Sequence, residues 1–469
     1  MDDPTIKKKV RVRFAPSPTG PFSFGNARTA LFNWLFARRH KGEFLLRIED
    51  TDEQRSRKEY EFEIIESLKW LGLDWDGEIY HQSKRKDIYQ RYLKYLLEKG
   101  LAYYCSCKQE DLELERQAQL AQGLAPRYSG RCRNLKNEKG VIRFKMPETE
   151  ISVNDLIRGK ISFKTALIGD IVIAKSLEEP LYNFAVVIDD FEMKITHVIR
   201  GEDHLPNTPK QIMLQKALDL PSVQYAHLPL ILGPDKKKLS KRYLEKSFLD
   251  YKKEGYLPEA ILNFLVLLGW HPIKDREIIK LEEMLAEFSL ERVQKSGAVF
   301  NPDKLDWLNA YYLRTTDVKR LSELIKPFVP PTWFKKSISI EKAIEIERGR
   351  MKKLSDFPKL ASFLFDLPEY PPELLIWKET KSSDILENLK TVLNVLTEER
   401  NYKEAIMALA DKLGRGEVLW PLRVALSGQE ASPGPFEIIE VIGKEESARR
   451  INIAIDKIKI LAQKSFQQK

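Results

Sequence analysis

The chain has 469 residues, 43% of them hydrophobic and 31% charged, a length that exceeds one ordinary core and implies about two to four domains. No run of about 18 apolar residues is present to span a bilayer, and the opening MDDPTIKKKVRVRF lacks the apolar core and cleavage site of a secretory leader, so a cytoplasmic protein with no membrane partner is expected. Lysine and arginine exceed aspartate and glutamate by 78 − 69 = 9, which favours a polyanionic partner such as nucleic acid, although a merely soluble basic protein shares that balance.

Residues 10–14 (VRVRF) alternate as a strand and lead into the Pro/Gly loop APSPTGPFSFGN. A helix is predicted from about Ala27 to Arg39, on the apolar spacing of Ala30, Leu31, Trp34 and Leu35. A buried strand, EFLLRIED, follows, then a helix, YEFEIIESLKWLGL, stopped by a glycine. Strand, glycine loop, helix and strand predict the opening crossover of a nucleotide-binding α/β domain. From about 101 to 190 the pattern changes to short strands (GVIRFKM, ISFKT, DIVIAK) around three cysteines and a polar helix, which reads as an insertion. The strand and helix pattern returns with KITHVIRGED, NTPKQIMLQKAL and HLPLILG, so the nucleotide domain is predicted to be discontinuous. Beyond residues 236–242 the helical period dominates, in LPEAILNFLVLLGW, KLEEMLAEF, SDILENLKTVLNVL, YKEAIMALADKLG and SARRINIAIDKIKIL. The predicted fold is α/β, a discontinuous Rossmann-like domain with an α+β insertion, followed by an all-α C-terminal module joined through PDKLDWLNAYYL and FVPPTWF.

Two loops carry the candidate chemistry. The loop of residues 15–28 offers glycines for close backbone approach and a helix N-terminus for an anion, though such loops are more often ordinary turns. It fits neither the Walker A nor the G-x-G-x-x-G pattern. KKKLSKR at 236–242 places lysines and a serine on a loop after a strand, where they can neutralise a triphosphate; alone, it reads as a solvated basic turn. Both loops fall at strand C-terminal ends, where open α/β sheets place their ligands. Cys105, Cys107 and Cys132 are too few for a disulfide framework and lie in one short stretch, which makes metal binding the better question.

The ordered stretches RFAPSPTG, RIEDTDEQRS, VIRGEDHLPNTPKQ, YAHLPLILG, KLSKR and GYLPEAILNFLVLLGW resemble glutamyl-tRNA synthetases of the bacterial kind, class I aminoacyl-tRNA synthetases, over almost the whole chain. The resemblance implies a ligase that activates L-glutamate with ATP and Mg²⁺ and transfers it to tRNA(Glu), releasing AMP and diphosphate, and it implies a monomer. It implies five regions: catalytic halves at 1–100 and 191–242, an acceptor-stem insertion at 101–190, a helical connecting domain at 243–320 and an anticodon-binding domain at 321–469. Arg13, Ala15, Ser17, Glu49, Tyr182, Arg200 and His204 are implied around the glutamate. Arginine suits that role because its fork matches a carboxylate. Tyr182 also fits a core aromatic, and Glu49 a partner for Arg47. Phe22, Ser23, Gly25 and Asn26, with Lys238, Leu239, Ser240, Lys241 and Arg242, are implied at the ATP. Lys238, Lys241 and Ser23 are the expected catalytic contacts, with Lys241 on the phosphates.

The chain departs from the family at two positions. Ser23 stands where the first signature begins with histidine; serine is a shorter donor that cannot become cationic. Asn134 stands where a zinc-binding C-x-C…C-x-H pattern has its histidine, so structural zinc on the three cysteines is the less favoured outcome unless Tyr104, Tyr128 or water completes it. Arg350, in RGRMKKLSDF, matches in placement an arginine that reads the third anticodon base, and a solvated helix face fits it equally well.

Overall fold

The computed structural model describes residues 9–52, 54–237 and 246–467, with side chains to 463. The chain forms two compact units, Met1–Lys252 with Pro258–Leu305, and Lys253–Leu257 with Asp306–Lys469. The expected connecting region of 243–320 thus divides between them, with Lys253–Leu257 and the residues from Asp306 onward in the second unit and the rest in the first.

The first unit is built on parallel strands. β1 (Arg11–Phe14) pairs with β2 (Glu43–Ile48) from Arg11↔Glu43 to Phe14↔Leu46. Their crossover is α1 (Phe24–Arg39), which starts three residues earlier than its apolar period predicts because the Ser23 hydroxyl accepts the Asn26 N–H. Eleven of its sixteen residues are buried, a helix enclosed on most sides. Gly42 admits the return to β2, since a Cβ there would lie 2.3 Å from the Val10 carbonyl oxygen. Helix α2 (Lys58–Leu71) ends as its sequence predicts, at Gly72 in the left-handed region with φ 70°. β3 (Tyr80–His81) continues the sheet beside β2, and α3 (Lys86–Glu98) leads into the insertion.

The insertion contains β4 (Ala102–Cys105), the polar α4 (Gln109–Ala121), β5 (Val141–Phe144), the hairpin β6 (Glu150–Asp155) and β7 (Gly159–Lys164), and β8 (Ile171–Ala174). The order β4-β5-β8 is antiparallel, and α4 buries none of its residues. Then comes a helix absent from the sequence prediction, α5 (Tyr182–Glu192), which buries Phe184 to Ile188 and also Asp189 and Asp190. β9 (His197–Gly201) returns to the first sheet: the Thr196 N–H donates to the Arg11 carbonyl at 2.9 Å. After α6 (Thr208–Ala217), β10 (Gln224–Leu228) pairs in parallel with β9. The ladders β3-β2-β1 and β9-β10 are joined at Arg11 and Thr196, and the succession of strands turns from one side to the other between β1 and β9, the switch point where such sheets open a crevice.

The second unit is helical throughout its described length after residue 320. Helices Ser382–Glu398, Arg415–Ser427 and Lys444–Gln467 surround Leu389, Val392, Leu422, Leu426, Ile451 and Ile458. Arg450 is buried here and donates to the carbonyls of Phe363, Leu364 and Leu426 at 2.6–3.0 Å, satisfying helix C-termini that the core would otherwise orphan.

Candidate functional site

A cavity of about 750 Å³ lies in the first unit at the C-terminal ends of β1, β2 and β9. It gathers Arg13, Ala15, Ser17, Glu49, Tyr182, Arg200 and His204, seven residues from four separate stretches, together with Gly25 and Asn26 at the start of α1. A Cβ on Gly25 would meet only Ser23 Oγ, at 3.6 Å, so packing does not require the glycine there.

The charges of the cavity are unevenly paired. Arg13 donates to both oxygens of Asp190, at 3.0 and 3.4 Å. Arg47 is fully buried beneath, donating to Asp190 at 2.7 Å and to Glu49 at 3.0 Å. Burial acts to raise the Asp190 carboxyl, but Arg13 and Arg47 together hold it below the ordinary aspartate value. Burial pushes Glu49 above its ordinary value, against Arg47 and Arg13. Glu49 therefore both pairs with Arg47 and lines the cavity. Asp189, beside Asp190, is completely buried and accepts from Gln82, Tyr89 and Arg85, each at 2.7 Å.

Arg200 differs from Arg13. It is buried, yet its guanidinium donates only to neutral groups: Gln211 Oε1 at 2.8 Å, Thr208 Oγ1 at 2.9 Å and His227 Nε2 at 3.3 Å. Among the described residues it forms no ion pair with a carboxylate. Tyr182 hydroxyl lies 2.9 Å from His204 Nδ1, and burial, with Arg200 second, lowers the His204 pKa to about 4. His204 is thus neutral at physiological pH.

The nucleotide residues are less uniform. Phe22 has its ring in the core, edge-on to Phe14 at 6.0 Å and to Phe248 at 5.4 Å, so any ligand contact from it falls to its backbone. The hydroxyl of Ser23 serves as the cap of α1. Lys238, Leu239, Ser240, Lys241 and Arg242 lie outside the described residues.

In the insertion, the three cysteine sulfurs lie within 4.8 Å of one another. Tyr128 hydroxyl is 3.4 Å from both Cys105 and Cys107 sulfurs and accepts the Cys132 N–H at 2.9 Å. Burial acts to raise the Cys132 thiol, but hydrogen bonds led by Tyr128 bring it down to about 6. Asn134 is solvent-exposed. In the second unit, Arg350 is held by Glu347 at 2.8 Å and by the Ala431 carbonyl at 3.0 Å, and burial raises the Glu347 pKa to about 7.

Asp155, Asp189 and Asp190 lie outside the stretches that carry the resemblance, whereas Thr208, Gln211 and His227 lie within VIRGEDHLPNTPKQ and YAHLPLILG without standing out there as site residues. The signal for the two adjacent aspartates was nonetheless present, because acids inside the apolar run FAVVIDDF must find buried cations.

A discontinuous parallel sheet with an insertion, an arginine-rich cavity at its switch point and a separate helical unit define a class I aminoacyl-tRNA synthetase. Residues 9–307 match the family described as tRNA synthetases class I (E and Q), catalytic domain, and residues 320–455 match an anticodon binding domain. A glutamate–tRNA ligase of Thermodesulfovibrio yellowstonii is 47% identical, over 95% of this chain and 99% of its own. One of Carboxydothermus hydrogenoformans is 44% identical, over 94% and 99%. The crystal structure of a glutamate tRNA ligase from Elizabethkingia meningosepticum, in complex with its amino acid, is similar at a TM-score of 0.86 with 36% identity, covering 96% of this chain and 100% of that one. This chain belongs to the glutamate–tRNA ligase family.

Proposed function

We propose that the chain activates L-glutamate with ATP, taken as its Mg²⁺ complex, and transfers the glutamyl group to the 3′ end of tRNA(Glu), acting as a cytoplasmic monomer. The observation that carries this reading is Arg200, a buried cation at the cavity without a carboxylate among the described residues. Arg13 and Arg47 are already balanced by Asp190 and Glu49, so an arriving carboxylate finds its counter-charge at Arg200. Glu49 receives the ammonium group, with Tyr182 and neutral His204 shaping the remaining wall.

A carboxylate oxygen of glutamate then forms a bond to the α-phosphorus as the bond to the bridging oxygen breaks and pyrophosphate leaves. In the second step, the terminal ribose hydroxyl of the tRNA attacks the acyl carbon and AMP departs. Positioning and charge carry most of this rate. The start of α1, which reaches the cavity at Gly25 and Asn26, turns the positive end of its helix dipole toward the phosphates, the Asn26 N–H itself being engaged by Ser23, and Lys238 and Lys241 supply cations. Helices throughout the described part of residues 320–467 favour this activity over a glutaminyl enzyme with a β-barrel anticodon domain and over a truncated paralogue without an anticodon module. Arg350 is the candidate reader of the third anticodon base. Glutamate-dependent ATP–pyrophosphate exchange with tRNA(Glu) present is expected; no exchange with any tRNA would overturn the proposal, and charging of purified tRNA(Gln) decides its breadth.

The cysteine cluster fits a structural zinc, with Cys105, Cys107 and Cys132 as thiolates and Tyr128, not Asn134, as the fourth donor. The ion would tie β4 to the following loops and take no part in the reaction. About one zinc per chain is expected by elemental analysis. Tyr128→Phe should lower that occupancy and the thermal midpoint while exchange activity persists; undiminished zinc in this variant would remove Tyr128 from the ligand set.

A further inference from the structure

Asp155 closes the hairpin of the insertion, yet its carboxylate is completely buried against the parallel sheet. Its Oδ2 lies 2.6 Å from Nδ1 of His227, a fully buried residue of β10. Nε2 of the same ring accepts from Arg200 Nε at 3.3 Å, so the ring is neutral, with its proton on Nδ1 donated to Asp155. Thr208 hydroxyl sits 3.0 Å from that Nε2 and accepts from the Arg200 guanidinium. Tyr225 lies parallel to the imidazole, with ring centroids 6.0 Å apart, and its face is 5.5 Å from the guanidinium carbon.

The backbone fixes the orientation of the first member. Oδ1 of Asp155 accepts the N–H groups of Ile157 and Arg158 at 2.9 and 2.8 Å, and the His227 N–H lies 3.1 Å from Oδ2. The carboxylate cannot rotate without orphaning buried donors. A protonated Nε2 would set a donor against the Arg200 Nε–H, so the tautomer chosen by Asp155 decides whether the guanidinium can hold its position.

We propose that Asp155 and His227 are positioning residues that hold Arg200 in the orientation required by the substrate carboxylate, so that a residue of the insertion sets the amino-acid affinity of the nucleotide-binding domain. The proposal rests on the reading of Arg200 as the substrate's counter-charge. It separates His227 from a merely buried histidine, because its effect depends on which atom faces Arg200.

Glutamate-dependent ATP–pyrophosphate exchange with tRNA(Glu) present tests it on His227→Asn, His227→Gln and Asp155→Asn, with Arg200→Gln as reference. Asparagine reproduces the Nδ1 side of the ring and leaves the Nε2 side empty; glutamine carries an acceptor oxygen to the Nε2 side. His227→Asn is expected to raise the KM for glutamate by about tenfold, with kcat and the KM for ATP nearly unchanged, and His227→Gln to recover most of the loss. In Asp155→Asn the backbone donors retain the amide oxygen, turning the NH₂ toward Nδ1 and forcing the proton to Nε2. Its KM for glutamate should rise as in His227→Asn. Circular dichroism identifies folded variants, and Asp155→Asn decides the matter if His227→Asn does not fold. Equal glutamate KM values for His227→Asn and His227→Gln, or a wild-type value for Asp155→Asn, would overturn the proposal while Arg200→Gln still shows its defect. A normal KM in Arg200→Gln would instead remove the reading of Arg200 itself.

Discussion

Arg200→Gln is expected to raise the KM for glutamate on the order of a hundredfold in ATP–pyrophosphate exchange, while the KM for ATP changes little. The side chain is buried, so its interaction with a carboxylate is poorly screened and doubly hydrogen-bonded. Glutamine can still donate to a neighbour but carries no charge. Arg200→Lys should recover only part of the loss, because an ammonium cannot reproduce the guanidinium fork. The ligand-free protein should respond in the opposite direction. Its buried guanidinium is surrounded by Gln211, Thr208 and neutral His227, with no carboxylate paired to it among the described residues to offset its desolvation. Thermal unfolding of Arg200→Gln without ligand should therefore occur at or above the wild-type temperature, as at a site whose strain serves binding. A wild-type KM for glutamate would refute the assignment whatever the stability shows.

Asp190→Asn should give the largest loss of stability, about 3–5 kcal/mol by chemical denaturation of the catalytic unit. Asp190 is the shared counter-ion of Arg13 and Arg47, and the amide would leave two buried guanidinium groups with only Glu49, 3.0 Å from Arg47, and Asp189, 4.0 Å from Arg47 and already bound by Arg85, as remaining acids among the described residues. The sign of the pH dependence follows from its depressed carboxyl. The stabilisation is present above the unfolded aspartate value and is lost as pH falls through the lower folded one. The wild-type protein should lose this contribution in acid, and Asp190→Asn should lack that component of the acid transition. A variant within about 1 kcal/mol of wild type would show that Arg13 and Arg47 relax to other partners.

Part of this arrangement was legible without coordinates. The alternation in VRVRF and the apolar run FLLRI predict adjoining strands, and Gly72 ends its helix as the sequence pattern implies. The stretches containing Arg13, Glu49, Tyr182, Arg200 and His204 were recognisable by motif, and all five side chains meet at one cavity. Helix α5 was not legible, since two acids inside an apolar run blur the helical period when their partners lie more than a hundred residues away. At Phe22, a loop position beside a nucleotide motif, only the structure shows that the ring packs on Phe14 and Phe248, which leaves its backbone for any ligand contact.

By itself, the sequence determined the class of fold, the family and the residue types at the cavity, because these follow from local periodicity and from motifs that keep their spacing along the chain. Only the tertiary structure decided which charges are already neutralised. Arg13 and Arg200 are the same side chain at the ends of two strands, but α5 brings Asp190 to the first, while β10 and α6 bring neutral His227, Thr208 and Gln211 to the second. The difference is physical: ion pairing depends on distance and burial between segments remote in sequence, and neither quantity is written in the local pattern of residues.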